Sequence, residues 1–329
     1  MQPNRIRRAL VLTLLAAPAA LPLSASAAYP DKPIVLVVPF SAGGPSDKIA
    51  RDLAEALRKP LGQTVIVENT VGAGGTIGAA RVARAPADGY TFLVHHIGLA
   101  TAPALYKNIG YKTEELEFVG LVNEAPSTLI GRTTLPPDNF SALRTYIAQN
   151  GSKLNLANAG VGSASHLCGL LLQSALKSNM TLVPYKGTAP AMTDLIGGQV
   201  DLMCEQATNS APQIEGKKVK AYGISSAKRL DAPALAQVPT LEEGGLKGFT
   251  FNVWHGVYAP KGTPAAVTAK VNEALRTALK DPALVSRWSG LGITVVTDNR
   301  AEPAGHKRFV QAEIARWAKV IKESGIEPE

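Results

Sequence analysis

The segment Phe40-Ser-Ala-Gly-Gly-Pro45 joins a continuous apolar, β-branched run, Ile34 to Val38, to a stretch in which Ile49, Leu53 and Leu57 recur every four residues. The run reads as a strand buried on both faces, and the stretch as a helix that Ser46 or Asp47 can cap. Such a unit aims unpaired backbone N–H groups at one point, where the helix dipole favours negative charge. The chemistry on offer is capture of an oxyanion, whether phosphate, carboxylate or sulfate. The turn has neither the Lys-Ser/Thr ending of a P-loop nor the Gly-x-Gly-x-x-Gly spacing, so a nucleotide is not indicated. Taken alone, the segment is equally well explained as an ordinary tight turn.

A second unit repeats the device. Lys153 to Ala157 reads as a strand, Asn158-Ala-Gly-Val-Gly-Ser-Ala-Ser165 as a Gly/Ser turn, and His166 to Leu176 as a helix. If the two turns face one another, they can clamp the two ends of a diacid. Other candidates sit at strand ends, beyond which ligands lie in open α/β sheets. His95 and His96 close the strand from Thr91; on a strand they point to opposite faces, and no Cys or carboxylate stands at ligand spacing. Lining a cleft therefore suits His96 better than holding a metal. Tyr185 and Lys186 end the run from Thr181, where Tyr185 can stack on or hydrogen-bond a ligand or simply pack beside a surface lysine. Glu205 and its neighbours stand at the mouth of the strand Val200 to Cys204.

Nucleophilic catalysis finds little support. Ser165 and His166 are sequence neighbours, whereas a Ser–His pair is normally assembled by the fold and oriented by a third group. Neither a Gly-x-Ser-x-Gly elbow nor a His-Glu-x-x-His motif occurs. No cofactor is implied, and a non-enzymatic role is expected.

The first residues define a compartment. Arg5, Arg7 and Arg8 precede the apolar run Ala9 to Ala20, and Ala25-Ser-Ala27 is a small-x-small cleavage signal. Residues 1–27 are expected to be a signal peptide, the mature chain soluble in the bacterial periplasm, and no later segment long enough to span a membrane. Without the leader the formal charge falls from +8 to +5, with lysine and arginine scattered and no basic run with interleaved aromatics. Nucleic acid is thus a poor partner, and a mild positive field suits an anionic ligand. About 300 mature residues suggest two cores.

The remaining elements must position these turns. Thr64 to Glu68 reads as a strand, Gly72 to Gly78 opens a small-residue helix through Val82, and Ala189 to Ile196 is helical. Phe118 to Ile130, broken at Glu124-Ala-Pro126, reads as the crossover into a second lobe, and Phe249 to Tyr258 as the return. Lys220 to Ser225 is a further strand, and Ala232 to Leu241 a surface loop. Thr263 is the expected cap of the next helix with Pro264 at its first position. A last helix carries Phe309, Ile314, Trp317 and Ile321 on one stripe and ends at Gly325.

Ten ordered blocks then make a resemblance specific. They are Tyr29-Pro-Asp-Lys-Pro-Ile34, Val38 to Asp47, Val67-Glu-Asn69, Gly72-Ala-Gly-Gly75 and Ala87-Asp-Gly-Tyr90. Gly162-Ser-Ala-Ser-His166, Val183-Pro-Tyr-Lys-Gly187, Gly198-Gln-Val-Asp201, Val238-Pro-Thr240 and Ala259-Pro-Lys-Gly-Thr-Pro264 complete the set. The whole mature chain resembles the Bug family, the periplasmic receptors of tripartite tricarboxylate transporters. That resemblance implies a Venus-flytrap α/β binding protein, each lobe a mainly parallel sheet flanked by helices, with two crossover strands. Lobe one would comprise residues 28–125 and 256–329, and lobe two residues 126–255. It implies carboxylate capture by Phe40, Ser41, Gly43, Gly44, Ser46 and Asp47 in lobe one and by Gly162, Ser163, Ala164 and Ser165 in lobe two. His96, Tyr185 and Glu205 join them from the reading of strand ends. A monomer that delivers its carboxylate to membrane transporter subunits is expected, closing about Pro126 and the Phe251–Val257 crossover. A receptor feeding a sensor kinase, or an enzyme acting on a carboxylate, are the alternatives.

The chain departs from the family at Cys204-Glu205, where many relatives have Phe-Asp, and at Cys168, where they have a small residue. The two cysteines lie 36 positions apart, each near an expected loop at the cleft mouth. An oxidising compartment permits a Cys168–Cys204 bridge, with two buried thiols as the alternative.

Overall fold

The computed structural model describes residues 29–323 and 326–328. The expected leader and the end of the last helix at Gly325 lie outside the described residues. The chain opens with β1 (Ile34–Val38), α1 (Pro45–Leu61), β2 (Val65–Asn69), α2 (Thr76–Ala83), β3 (Thr91–His96) and α3 (Gly98–Leu105). A 16-residue strand, β4 (Leu116–Gly131), then leads to α4 (Phe140–Asn150), β5 (Asn155–Asn158), α5 (Ala164–Leu176), β6 (Thr181–Pro184), α6 (Thr188–Ile196), β7 (Leu202–Gln206), α7 (Ala207–Glu215) and β8 (Lys220–Ile224). The chain returns through β9 (Asn252–Pro260) to α8 (Ala265–Ala278), α9 (Pro282–Ser289), β10 (Thr294–Val295) and α10 (Pro303–Glu323).

The sheet order is β2-β1-β3-β9-β4-β7-β5-β6, with β8 and β10 also paired to β4. Residues 116–126 of β4 pair with β9, and residues 127–131 with β7 and β8, so one strand belongs to two sheets. Each sheet holds a parallel triplet, β2-β1-β3 or β6-β5-β7, whereas every pairing of β4 and β9 is antiparallel. The lobes are therefore mixed sheets, parallel only where βα units build them. Strands joined through a helix run parallel, whereas β4 and β9, which carry the chain out to the second sheet and back, run antiparallel to one another.

Alternation along β1 shows how its sheet is covered. Ile34, Leu36 and Val38 pack on one face with Ile49, Leu53 and Leu57 of α1, while Val37 packs on the other with Leu93 and Ala79. Gly62, at φ +66°, ends α1, its N–H bonded to the Arg58 carbonyl at 2.9 Å. The expected break at Glu124-Ala-Pro126 is absent. Pro126 pairs with Asn252 inside an unbroken β4, and the irregularities fall instead between Phe118 and Gly120 and between Leu121 and Asn123. Asn272 of α8 donates to the Val119 and Ala301 carbonyls at 2.7 Å each, so the first bulge leaves no orphaned acceptor at Val119.

Two caps also differ from expectation. Gly44 caps α1 with Pro45 at its first position, because the Asp47 carboxylate turns back to the Gly43 N–H. Pro264 caps α8, and the Thr263 hydroxyl donates to the Pro260 carbonyl. The segment 232–241 is no mere surface loop: Ala232, Leu235 and Val238 are buried against Ala207, Ala211 and Ile224.

Cys168 and Cys204 form a disulfide, with Cα atoms 5.9 Å apart. They lie in the core rather than at the cleft mouth, fully buried between α5 and β7. Denatured protein should show two reactive thiols only after reduction. Replacing both cysteines by alanine should lower stability by about 3–4 kcal/mol in denaturant unfolding, the chain-entropy value for a loop of this size.

Candidate functional site

Helices α1, α5, α6 and α7 each follow a strand, and their N-terminal ends meet at one cavity. Its walls are Phe40, Ser41, Gly44, Pro45 and Ser46 at α1, and Ala159, Ser163, Ala164 and Ser165 at α5. Gly187 and Thr188 at α6, Glu205 and Gln206 before α7, and His96 from β3 complete them. The empty space at its mouth and interior, open solvent included, is about 410 Å³. Among the described residues the wall contains no lysine or arginine, and Glu205 is its single carboxyl group. The first turns of four helices supply amides that their own helices cannot satisfy.

Capping side chains leave those amides available. No side chain caps α1 or α6. At α5 the Ser163 hydroxyl accepts from the His166 N–H at 3.2 Å, while the Ser165 hydroxyl accepts from the Ala159 N–H at 2.9 Å. Ser163 and Ser165 hydroxyls also lie 3.1 Å apart, which ties the turn together. A turn so held presents the Ala164 and Ser165 amides toward the cavity it lines.

The imidazoles supply a neutral frame. His96 stacks on Phe40 with centroids 4.2 Å apart, and its Nδ1 accepts from the Gly98 N–H at 2.8 Å. The neutral ring therefore carries its proton on Nε2, a donor for the cavity. Ser46 Oγ lies 3.0 Å from His255 Nε2, and His255 Nδ1 3.0 Å from Asn123 Oδ1. Burial lowers the pKa of His255 to about 3, with His95 adding to the effect, and that of His95 to about 4. Burial, reinforced by His95 and His255, also puts His96 well below the ordinary value.

Glu205 is 2 % exposed. Burial raises its pKa to about 8, against the opposing pull of Lys48, the Gln206 N–H and the Asn209 and Thr188 side chains. Its Oε1 has no hydrogen-bond partner.

Side chains near the start of α1 and the end of α3 also reach the segments around α5, α6 and α7. Ser41 Oγ donates to the Lys186 carbonyl at 2.9 Å, Lys48 Nζ to Asn209 Oδ1 at 2.8 Å, and the Tyr106 hydroxyl to the Val161 carbonyl at 2.8 Å. Glycines permit this approach: a Cβ on Gly74 would stand 2.5 Å from the Val161 carbonyl oxygen, and one on Gly187 would stand 2.9 Å from Ser41 Cβ.

Of the residues singled out in the sequence, Phe40, Ser41, Gly44, Ser46, His96, Ser163, Ala164, Ser165 and Glu205 come together around the cavity. Four do not line it. The Asp47 carboxylate is occupied by the Gly43 N–H, Arg51 and Asn69, at 2.9 Å each. Burial alone would raise its pKa, but those three donors hold it below the usual carboxylate range. Gly43, exposed, and Gly162, buried with its N–H toward His166 Nδ1, shape the turns from behind. Tyr185 donates to Asp194 at 2.7 Å and lines a wider groove, which shares Phe40, Ser41, Ala159 and Gly187 with the cavity. Sequence reading reached Asn209 only as a neighbour of Glu205 at the strand mouth, and passed over Thr188, Lys48 and the Ser46–His255–Asn123 chain. Gly187, a residue without a side chain between a strand and a helix, was a usable signal for Thr188; nothing local marked the others.

A Tripartite tricarboxylate transporter family receptor model matches residues 49–326, and the chain belongs to that family. The periplasmic binding protein BugD has a similar structure, with TM-score 0.87 and 50 % identity over 92 % of this chain and 100 % of that one. MatC from Rhodopseudomonas palustris, solved with bound malate, matches with TM-score 0.83 and 40 % identity over 89 % of this chain and 100 % of its own. A further R. palustris protein, solved with adipate, has TM-score 0.86 and 32 % identity over 92 % of this chain and 100 % of its own. The two-lobed periplasmic binding fold is thus that of the family.

Two expectations follow from the site. All five histidines are buried with lowered pKa values, His166 to about 4 and His306 to about 3 beside the three above. The unfolded chain binds more protons below pH 6.5, so their contribution to stability is present above that value and lost as pH falls toward 4. Glu205 acts oppositely, stabilising at low pH and losing its contribution as pH rises toward 8, but it is one group against five. The melting midpoint should therefore drop on acidification from pH 6.5 to 4.5; a rise would contradict the burial of neutral imidazoles. Lys48→Met removes the bond to Asn209 and should speed ligand release roughly threefold to tenfold, the worth of about one hydrogen bond. An unchanged off-rate in stopped-flow displacement would mean that this bond carries no closure energy.

Proposed function

We propose that this chain is a periplasmic receptor that captures a small carboxylate between its lobes and delivers it to the membrane subunits of a tripartite tricarboxylate transporter. The observation that carries the reading is the cavity at four helix N-termini, walled by serine hydroxyls, a neutral His96 and no basic side chain. Backbone amides and helix dipoles hold an ionised carboxylate without a guanidinium clamp. Malate and adipate, bound by the two R. palustris relatives, are both dicarboxylates. A dicarboxylate suits a site with one set of amides from α1 and another from α5 and α6.

In this reading, lobe one holds residues 28–125 and 256–329 and lobe two 126–255, with bending about Pro126 and the facing part of β9. Ligand contacts are Phe40, Ser41, Gly44, Ser46, His96, Ser163, Ala164, Ser165 and Glu205, joined by Thr188. Gly43, Asp47, Gly162 and Tyr185 support the turns and the rim. Closure follows from a ligand touching both lobes, since only differential contact shifts the population of closed forms. The mature chain acts as a monomer in the periplasm after removal of residues 1–27. No helix among the described residues is long and apolar enough to cross a membrane.

The reading is non-enzymatic. Ser46, His255 and Asn123 form the arrangement nearest to a nucleophile and base, yet burial holds His255 near pKa 3, far too low to accept a proton at neutral pH.

A thermal-shift screen on protein refolded from denaturant, against mono-, di- and tricarboxylates, tests the proposal. A dicarboxylate at a hundred times its dissociation constant should add about 2.7 kcal/mol of stability. A flat response to every acid, with a shift for sugars or amines, would refute it.

A further inference from the structure

Glu205 is at odds with the site it lines. A cavity built from amides and helix N-termini attracts anions, and an ionised carboxylate in its wall would repel the ligand proposed above. The geometry offers a resolution. The side chain is 2 % exposed, one oxygen has no partner, and the cavity is in contact with it. Lys48 of α1 is the cation that acts on it, and that ammonium group is already engaged with Asn209 Oδ1. From α6 and α7 it meets Thr188 and Asn209, both uncharged. From β3 the cavity wall contributes His96, and behind Ser46 stands His255 of β9, both neutral. Asp47 on α1 is turned away toward Arg51 and Asn69. Lys48 is thus the counter-charge that acts on Glu205, but it is tied to Asn209 and leaves one Glu205 oxygen unpartnered, so burial outweighs its pull.

We propose that Glu205 is the specificity-determining residue of the cavity: as a carboxylic acid it donates its proton in a hydrogen bond to an ionised carboxylate of the ligand, so that a dicarboxylate is held together with one proton. This rests on the carboxylate-receptor reading and sharpens it. An acid–carboxylate pair shares one proton between two oxygens, no bond other than the hydrogen bond forms, and the net charge of the pair is −1. It answers the unpartnered oxygen, and it selects against ligands whose far end is an apolar group.

The consequence is a pH dependence with a definite sign. Succinate, malate and adipate are fully ionised above neutrality, the five histidines stay neutral, and Glu205 is poised to titrate near pH 8. Only the protonated receptor offers the donor, so affinity should be level between pH 6.5 and 7.5 and weaken above pH 8. The limit is about tenfold per pH unit, the slope for one linked proton.

The test is titration calorimetry of the refolded protein with succinate, malate and adipate from pH 6.5 to 9.5, in buffers of different ionisation heat. Near pH 9.5 the proposal expects uptake of about one proton per ligand bound and an affinity roughly tenfold below that at pH 8.5. The Glu205→Gln variant keeps a neutral donor that cannot titrate; whatever its affinity at pH 7, it should lose the slope above pH 8 and the proton uptake. A parent affinity that is level or tightens as pH rises would overturn the proposal while leaving the carboxylate reading intact, as would a slope that persists in E205Q. Binding of none of these diacids at any pH would remove the receptor reading and this inference together.

Discussion

A backbone N–H at the first turn of a helix has no acceptor within its own helix, and burying it unsatisfied costs free energy. In this protein four such turns end at one cavity, and the rest of the architecture keeps them there. Parallel βα units place every helix start at the C-terminal edge of its sheet, so α1 comes from one triplet and α5, α6 and α7 from the other. A wall of amides needs no lysine or arginine to attract an anion, and none lines it. The ligand is then the missing acceptor for donors that the fold itself cannot satisfy.

Joining those donors into one site requires the two sheets to share a strand. β4 passes from one sheet to the other between Pro126 and Ser127, with β9 beside it on the first side and β7 and β8 on the second. Sharing that strand fixes the two sheets beside one another, so helix starts from both sides line a single cavity. Ser41, Lys48 and Tyr106 bridge the closed gap, and Gly74 and Gly187 leave room for it. Trp254 of β9 is anchored by its indole N–H to Glu313 of α10 at 3.0 Å, and the same carboxylate accepts from Trp317 at 3.1 Å. The return strand is thereby fastened to the lobe that carries the last helix.

The titratable groups of the cavity wall and those packed behind it are pushed toward their neutral forms, whereas Asp47, turned away from it, is paired with Arg51. The histidines are held below their ordinary pKa by burial, and Glu205 above its own. Neutral rings and acids still donate hydrogen bonds, and they do so without competing charge inside a space that loses its water on closure. Amides and neutral donors are thus consistent parts of one design for an anion.

Much of this was legible in the chain itself. The Gly-Gly and Gly-x-x-Ser-His turns, the apolar runs before them and the periodicity of Ile49, Leu53 and Leu57 are local signals, because strand burial, turn conformation and helix facing depend on neighbours in sequence. They were sufficient for the α/β class, for oxyanion chemistry, and for Phe40, Gly44, Ser46 and Ala164 as cavity residues. Caps were misread at Ser46, Asp47 and Thr263 because several residues at each helix start could serve, and a side chain with a better partner elsewhere leaves the role to its neighbour. The break expected at Pro126 failed for a related reason: proline lacks only a donor, and a strand can carry it where that donor is not required. Which side chains face the cavity was decided by tertiary structure alone. Asp47 and Tyr185 are polar residues in the right segments, yet Arg51, Asn69 and Asp194 claim them first. Lys48 meets Asn209, Ser46 meets His255, and Cys168 meets Cys204 only across sheets and helices, at separations no periodicity records. Local sequence determines what each turn offers; packing determines which offers remain open once the other side chains have been satisfied.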